Sequence, residues 1–212
     1  ELQMNSIVIT GDVGKVKEVN TREYGRCYEF FVSAVRLSGI VDTLKCLAPA
    51  RIFHDDPEGK HLTLYGEIRT RNEYEGEHRK LLLYVNVSSV AECEEKRKYE
   101  NTVTLRGFIC SKVNTHLTSS VGAVSNSLVA CNSNKNSYYI PVVFFKGASR
   151  VARNAKKGTE ISVTGMLTSR HYKKHDENGD VITEADTYEI VTSIVFLEKW
   201  REKNADQASE IK

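Results

Sequence analysis

The chain has 212 residues, of which 27% are charged, with a formal net charge of +2 and five cysteines. No apolar run approaches the roughly 18 residues that cross a bilayer, no secretory leader pattern is present, and the scattered cysteines form no CxxC motif. We therefore expect a cytoplasmic protein with reduced thiols, and neither a membrane span nor a zinc ribbon.

The charge is divided unevenly along the chain. Residues 1–96 contain 13 Lys or Arg against 16 Asp or Glu, a net of −3, whereas residues 97–212 contain 17 against 12, a net of +5. An anionic partner favours the second half, because phosphate contact is the main sequence-independent contribution to nucleic-acid affinity. Ordinary drift of surface charge explains the difference equally well, since the isoelectric point of 8.3 is below that of strongly basic binders.

Two pairs of segments repeat along the chain. Asn5–Gly11 and Asn101–Gly107 share their terminal residues at a separation of 96, and Leu62–Arg71 and Ile161–Arg170 share glycine and arginine at a separation of 99. Periods of about 20–50 residues are typical of solenoids, so this longer repeat indicates a whole small domain that is present twice.

In the first copy, period-2 apolar spacing predicts five strands, at residues 6–18, 27–37, 43–54, 61–73 and 80–91. Before the fourth strand, Ala48–Ala50 and Asp55–Gly59 predict a turn-rich connector in the place of a helix. The highly charged residues 93–100 are expected to link the copies.

The second copy also predicts five strands, and it adds a helix. Ala148–Gly158 has apolar residues at i, i+3, i+4 and i+7 and ends in two lysines and a glycine. Three strands, a helix and two strands is the order of the OB-fold, a five-stranded, partly open barrel. We therefore predict an all-β chain of two tandem five-stranded OB-fold barrels, the second with a helix between strands 3 and 4. The predicted domains are residues 1–92, which are divergent and helix-poor, and residues 101–198, followed by a tail at 199–212.

Catalytic signals are weak. The sequence has no GxSxG, HExxH, Walker A or dinucleotide-binding motif. His171 and His175 lie on a predicted strand, where residues four apart are separated by more than about 12 Å, too far to share a metal ion. We therefore expect a protein that is not an enzyme and holds no metal or cofactor.

Aromatic and basic residues of the second copy are more informative. Tyr138, Tyr139, Phe144 and Phe145 crowd the third strand, and Arg170–His175 begins a long hairpin. Binding of a single strand needs aromatic faces for the bases and cations for the phosphates. Alternation along the strand places Tyr138 and Phe144 on one face and Tyr139 and Phe145 on the other, and by itself it leaves open which face is interior.

Five elements occur in a fixed order in the second copy: Asn101-x-Val103-x-Leu105-x-Gly107, Tyr138–Phe144, Lys156–Gly158, Val163-x-Gly165-x-Leu167-x-x-Arg170-x-Tyr172 and Tyr188–Glu198. With this order and spacing, residues 101–198 resemble the bacterial single-stranded DNA-binding proteins. The resemblance implies an OB-fold that binds single-stranded DNA with little sequence preference.

Carried over by position, the resemblance implies that Tyr138, Phe144 and Tyr172 stack on bases. Tyr138 and Phe144 would then face outward, while Tyr139 and Val143 would face inward. Phosphate contacts are implied for five basic residues: Arg106, Lys112, Arg170, Lys173 and Lys174.

The chain also departs from the family. Phe108 stands where the family usually has arginine, and the acidic tail by which the family recruits replication and repair proteins is not seen, which leaves such partners open. The first copy resembles the family only weakly, and its candidate binding residues are Phe30, Arg69, Arg71 and Tyr74. Family members commonly assemble four OB-folds, so a chain with two suggests a homodimer.

The leading hypothesis is non-catalytic, largely sequence-independent binding of single-stranded DNA, in replication, recombination or repair. The alternative is an OB-fold interaction module of the primosomal type that mainly binds partner proteins, which the acidic first copy would suit. A nuclease needs a cluster of metal-binding carboxylates that the sequence does not supply.

Overall fold

The computed structural model describes residues 4–76, 78–133 and 136–197. The first half of the chain contains β1 (Asn5–Val13), β2 (Lys17–Thr21), β3 (Gly25–Val35), β4 (Val41–Pro49), β5 (His61–Glu75) and β6 (His78–Glu92). The second half contains β7 (Glu100–Ile109), β8 (Asn114–Thr118), β9 (Gly122–Asn132), β10 (Ser137–Phe145), α1 (Lys146–Ala152), β11 (Glu160–His175) and β12 (Val181–Leu197). The prediction of a chain built mostly from β-strands is confirmed.

The strands of both halves join into one twelve-stranded sheet. In the first half, β3 pairs with both β1 and β4, and β6 pairs with β4 and β5, so the paired strands β1-β3-β4-β6-β5 form a closed circuit. The second half repeats this circuit as β7-β9-β10-β12-β11. The pairings β4–β6 and β10–β12 are parallel and the others are antiparallel.

The two halves are joined by antiparallel pairing of β1 with β7. Ile7 pairs with Val103, and the register runs from Asn5 opposite Leu105 to Thr10 opposite Glu100. Ile7 and Val103 are also equivalent positions of the sequence repeat, which is 96 residues long at this point. The pairing is therefore symmetric about this residue pair, as in a two-fold dimer interface.

Alternate residues of the strands fill the interior, as period-2 spacing requires. Ile9, Leu44 and Ile68 in the first half, and Leu105 and Ile140 in the second, are all buried to within 1% of complete. Each such side chain contributes about 1.5–3 kcal/mol to folding. The core therefore runs through both circuits.

The glycines that revealed the repeat lie where backbones approach closely. A Cβ on Gly66 would lie 2.2 Å from the Asn86 carbonyl oxygen, and one on Gly165 would lie 2.3 Å from that of Val191. Both positions are at irregularities in the pairing of the long hairpins. Only glycine fits there without movement of the backbone.

The repeated asparagines also have one structural role in both halves. Asn5 Nδ2 donates to the Ile68 carbonyl over 2.8 Å, and the Ile68 amide donates to Asn5 Oδ1 over 2.9 Å. Asn101 makes the same two bonds to Leu167, at 2.7 and 3.0 Å. Each asparagine thus pairs with the backbone just beyond a repeat glycine.

The connectors before β5 and β11 differ between the halves. In the first half it holds a single 3₁₀ turn, Ala50–Ile52, and in the second it holds α1, which buries Ala148 and Ala152. The predicted helical segment extended to Gly158, but residues beyond 152 form turns. Neither described helix is long and apolar enough to cross a membrane.

Candidate nucleic-acid interface

The outward face of β10 carries Tyr139 and Phe145. Tyr139 is 46% exposed and Phe145 is half-buried. Tyr138 and Phe144, by contrast, are 7% and 0% exposed and belong to the core. The expectation that Tyr138 and Phe144 face outward while Tyr139 faces inward is therefore wrong.

The residue types along β10 explain why the face of Tyr138 and Phe144 is the interior one. Tyr138 and Phe144 share their face of β10 with Ile140 and Val142, which are β-branched, fully apolar and buried. The opposite set contains Pro141, which is half-buried. Two buried β-branched residues on the Tyr138 face, against Val143 and the half-buried Pro141 on the other, were the sequence signal that favoured the Tyr138 face as the interior.

Tyr138 is covered by a residue of the first half. The Arg69 guanidinium lies 5.8 Å from the centroid of the Tyr138 ring, within the range of a cation–π contact. Arg69 also donates to Glu23, Glu67 and the Tyr24 hydroxyl, at 2.8, 2.7 and 3.0 Å. Arg69, predicted to contact nucleic acid, is therefore hydrogen-bonded within the first half while its guanidinium contacts the Tyr138 ring of the second half.

Burial and hydrogen bonding shift the pKa values of Arg69 and of the tyrosines beside it, Tyr24 and Tyr84. Burial acts to lower the pKa of Arg69, but the bonds from Glu23 and Glu67 outweigh it and raise the pKa. Burial also raises the pKa of Tyr24 and of Tyr84, which lies beside Arg69. At neutral pH the guanidinium of Arg69 is therefore charged, and the phenols of Tyr24 and Tyr84 beside it are neutral.

Each long hairpin extends beyond its own half and contacts the other half. We call residues 70–83 the first arm and residues 169–188 the second arm. The Tyr139 amide donates to Thr70 Oγ1 over 3.0 Å, and the Thr43 amide donates to Ser169 Oγ over 2.9 Å. Thr70 and Ser169 are equivalent in the repeat, so the two contacts are symmetric. The first arm therefore lies against β10, and the second arm lies against β4.

Asp42 strengthens the second of these contacts. Its buried carboxylate accepts two bonds of 2.6 Å from Arg36 and one of 3.2 Å from the Ser169 amide. A buried carboxylate needs such partners, because an unpaired one would be costly. The second arm is therefore fixed at the start of β4.

Arg170 and Lys173, two of the basic residues predicted to contact phosphate, lie on the second arm. The Arg170 side chain is 63% exposed, with Nε 3.2 Å from Glu189 Oε1, and Lys173 is exposed. The side chains of Tyr172 and Lys174 lie outside the described part of the structure. The described contacts place these residues on an arm that adjoins β4.

The remaining predicted residues of the second half differ in accessibility. Lys112 is exposed in the connection from β7 to β8. Arg106 Nε donates to Glu160 over 2.8 Å, and both side chains are about one-third exposed. Lys112 therefore remains a candidate phosphate contact, and Arg106 is an ion-paired residue of the outer sheet surface.

In the first half, Phe30 is 1% exposed and packs edge-on against Phe53, so its proposed contact with a base is not compatible with the structure. Tyr74 is 70% exposed, and Arg71 is paired with Glu73 at 2.8 Å. Thr43 of β4 is the equivalent in the first half of Tyr139 of β10, because the parallel pairings of the two strands correspond residue by residue. The first half thus has no aromatic residue at that outward position.

Metal-ligating groups do not converge in the described residues. No set of three His, Cys, Asp or Glu side chains there is placed to hold a metal ion. His171 Nδ1 lies 3.0 Å from Asp186 Oδ1 on the exposed second arm.

Residues 100–197 match the single-strand binding protein family. The match lies entirely in the second half of the chain. Over the whole chain, the fold is similar to the wild-type single-stranded DNA binding protein from Thermus aquaticus, with a TM-score of 0.74 and 15% identity. The similarity to a deletion mutant of that protein has a TM-score of 0.75 at 14% identity. Both matches cover 97% of this chain and 98% of the other.

No significant match was found among curated protein sequences. At such low identity the two crystal structures establish a shared fold. Their likeness extends over both halves, whereas the family match covers the second half alone.

Proposed function

We propose that this protein binds single-stranded DNA without catalysis and with little sequence preference, and that the second half provides the main site. The observation that carries the proposal is Tyr139, an aromatic side chain 46% exposed on the outward face of β10, in the half that matches the single-strand binding family. Phe145 extends the same face toward α1.

The chemistry follows from stacking and charge. A base stacked on an aromatic side chain contributes about 1–3 kcal/mol, whatever its identity. Lys112 supplies an exposed cation for phosphate, and the second half has a net charge of +5. Tyr138 and Phe144 support the site from within, because they hold β10 in the core.

The proposal includes the domain organisation. Each closed circuit of five strands is taken as an OB-fold barrel, the first over residues 1–92 and the second over 101–198, with 93–100 as the linker. Replication, recombination and repair are the processes that such a protein would serve, since they expose single strands.

We also propose a homodimer with four OB-folds. The outer surface of β1 and β7 presents Ser6, Val8, Thr102 and Thr104, which are all uncharged and lie next to one another in the paired strands. This uncharged patch at the centre of the sheet, bordered by the Arg106–Glu160 ion pair, suits a second copy of the same chain.

Fluorescence anisotropy with labelled oligo-dT tests the site. Tyr139→Ala should weaken binding by about 5-fold to 150-fold, the loss of one stacked base. Phe31→Ala is the matched control, since Phe31 is an aromatic residue of the first half that is 42% exposed. This variant should bind the oligonucleotide as tightly as the parent chain does. The affinity should also fall as salt rises. Equal binding by Tyr139→Ala and the parent would refute the site, and no binding at low salt would favour the partner-binding alternative.

A further inference from the structure

Two strands of the sheet are edge strands. Among the described strands, β2 pairs with β3 alone and β8 pairs with β9 alone, and the two lie at opposite ends of the sheet order. Alternate residues of an edge strand direct their N–H and C=O groups away from the partner strand, and another strand can pair with these groups. In the described part of the chain, no backbone hydrogen bond other than those of the pairing with β9 involves residues 114–118.

The two edge strands are equivalent in the repeat but differ in charge. The pairings of β2 with β3 and of β8 with β9 have the same register, so residues 17–21 correspond one by one to residues 114–118. β2 contains Lys17 and Glu18, and charged side chains commonly prevent an edge strand from pairing further. β8 has the sequence Asn-Thr-His-Leu-Thr, without Lys, Arg, Asp, Glu or Pro. The edge of the first half is therefore protected by charge, and the edge of the second half is not.

The side chains of β8 are accessible to a partner. The first four residues of the strand are exposed, and Leu117 has 84% of its surface exposed. Cross-strand neighbours are the main contacts of side chains in a sheet, and β8 has such neighbours only on the side of β9. A strand that paired with the open side would supply them.

We propose that β8 is a docking edge for a second copy of this chain, and that two β8 strands pair antiparallel across a two-fold axis. The strand fits itself in this arrangement. With His116 opposite its own copy, Thr115 lies opposite Leu117 of the second copy, and Asn114 lies opposite Thr118. None of these pairs contains a Lys, Arg, Asp or Glu side chain, and each Leu117 gains a β-branched neighbour on its open side.

The composition of the two edges also favours a second copy as the occupant. Each chain has one edge strand without charged residues, so a second copy has to use the same strand, and the contact is isologous. β8 lies at one end of the sheet order, and β1 and β7 lie at its centre. The contact is therefore separate from the proposed homodimer surface, and it would link homodimers to one another. The inference goes beyond the proposed function and does not rest on it.

The size of the contact sets its strength. Five residue pairs bury much less than the roughly 1,200 Å² of a stable interface, so the association is weak. Sedimentation velocity of the full chain without DNA, from roughly 5 µM to roughly 500 µM, covers the range in which weak interfaces form. The parent should shift, at the highest concentration, toward twice the mass that it has at the lowest.

Two substitutions at equivalent positions test the edge. Leu117→Lys should weaken this association at least about 10-fold, because a lysine on an edge strand opposes further pairing. Asn20→Lys adds the same charge at the equivalent position of β2 and is the matched control, which should associate as the parent does. Both residues are exposed, so unfolding curves that match the parent are expected for both variants.

A cysteine variant tests the register. Residues directly opposite each other in antiparallel strands have Cα atoms about 4.5–5.5 Å apart, within the range of a disulfide. At high concentration with oxidised glutathione, His116→Cys should therefore form a covalent two-chain species. Val19→Cys, at the equivalent position of β2, should not. Cys93 and Cys110, the native cysteines that are not fully buried, are replaced by serine in both variants.

Three outcomes would overturn the proposal. A parent whose mass is the same at both ends of the concentration range does not pair through β8, and the open edge is then available to an extended segment of another protein. Association of Leu117→Lys as strong as that of the parent would place the contact on another surface. Equal cross-linking of His116→Cys and Val19→Cys would show random collision. None of these measurements includes DNA, so the proposed function is decided separately, by Tyr139→Ala and oligo-dT.

Discussion

Ile7 and Val103 lie opposite each other at the centre of the β1–β7 pairing, and each occupies the position of the other in the sequence repeat. The chain is therefore related to itself by an approximate two-fold axis that passes between these two residues. This axis explains why contacts between the halves occur in pairs, such as Thr70 with Tyr139 and Ser169 with Thr43.

The paired asparagines provide a first prediction. Asn5→Ala removes both partners of the Ile68 backbone groups, and Asn101→Ala does the same to Leu167. We expect each substitution to lower the free energy of unfolding by about 1–3 kcal/mol, measured by urea denaturation. Asn114→Ala, at an exposed position of β8, should change it by less than about 0.5 kcal/mol. A small effect of Asn5→Ala alongside a large one of Asn101→Ala would contradict the equivalence.

The repeat glycines provide a second prediction. Gly66→Ala places a methyl group 2.2 Å from a backbone oxygen, which the neighbouring strand can relieve only by moving. We expect a loss of at least about 2–3 kcal/mol in the free energy of unfolding. Gly147→Ala is the control, because no atom lies within 4 Å of its added Cβ and the residue is helical. This control should gain about 0.5–1 kcal/mol. Similar stabilities for the two variants would show that the contact at Gly66 relaxes freely.

Sequence reasoning located the repeat, most strands and the half that carries the aromatic residues. It succeeded because period-2 spacing and glycine at close backbone contacts are local properties. It could not choose the face of β10 securely, because both sets of alternate residues contain two aromatics. The choice depended on which set packs against the other strands.

The crossing of the arms could not be read from the sequence. Thr70 and Ser169 look like ordinary strand residues, and their role depends on how the two halves pack. The helix was predicted too long for a local reason. The chain turns at residues 153–154, directly after Ala152, so the helix stops before the two lysines and Gly158.

Lys146 provides a third prediction. It starts α1 with a φ of 50°, and no other described residue except glycine has a positive φ. This conformation costs a side-chain-bearing residue about 1–2 kcal/mol, and the extra freedom of glycine in the unfolded chain offsets part of the gain. We expect Lys146→Gly to stabilise the protein by about 0.5–1 kcal/mol in thermal or urea unfolding. Lys146→Ala, which keeps the strain, should give no such gain.

The outer surface of the sheet provides a fourth prediction. In the proposed homodimer, Val8 lies at the centre of the contact, so Val8→Arg would bury a charge against its own copy. We expect the parent to sediment at twice the 23.9 kDa of one chain, and Val8→Arg to sediment as a single chain. Val8→Thr, which keeps the branched shape without charge, should remain dimeric. A parent that sediments as a single chain at micromolar concentration would rule out the homodimer.

The linkage of the two halves in one chain has a consequence for dilution. If two separate chains formed the β1–β7 pairing, it would weaken as the protein became scarce. Here the partner is always present at the high effective concentration set by a short tether, so the exchanged arms stay in place at any protein level. Within one chain the two halves can also differ in sequence: Thr43 and Tyr139 occupy equivalent positions, which two identical subunits would have to fill with the same residue.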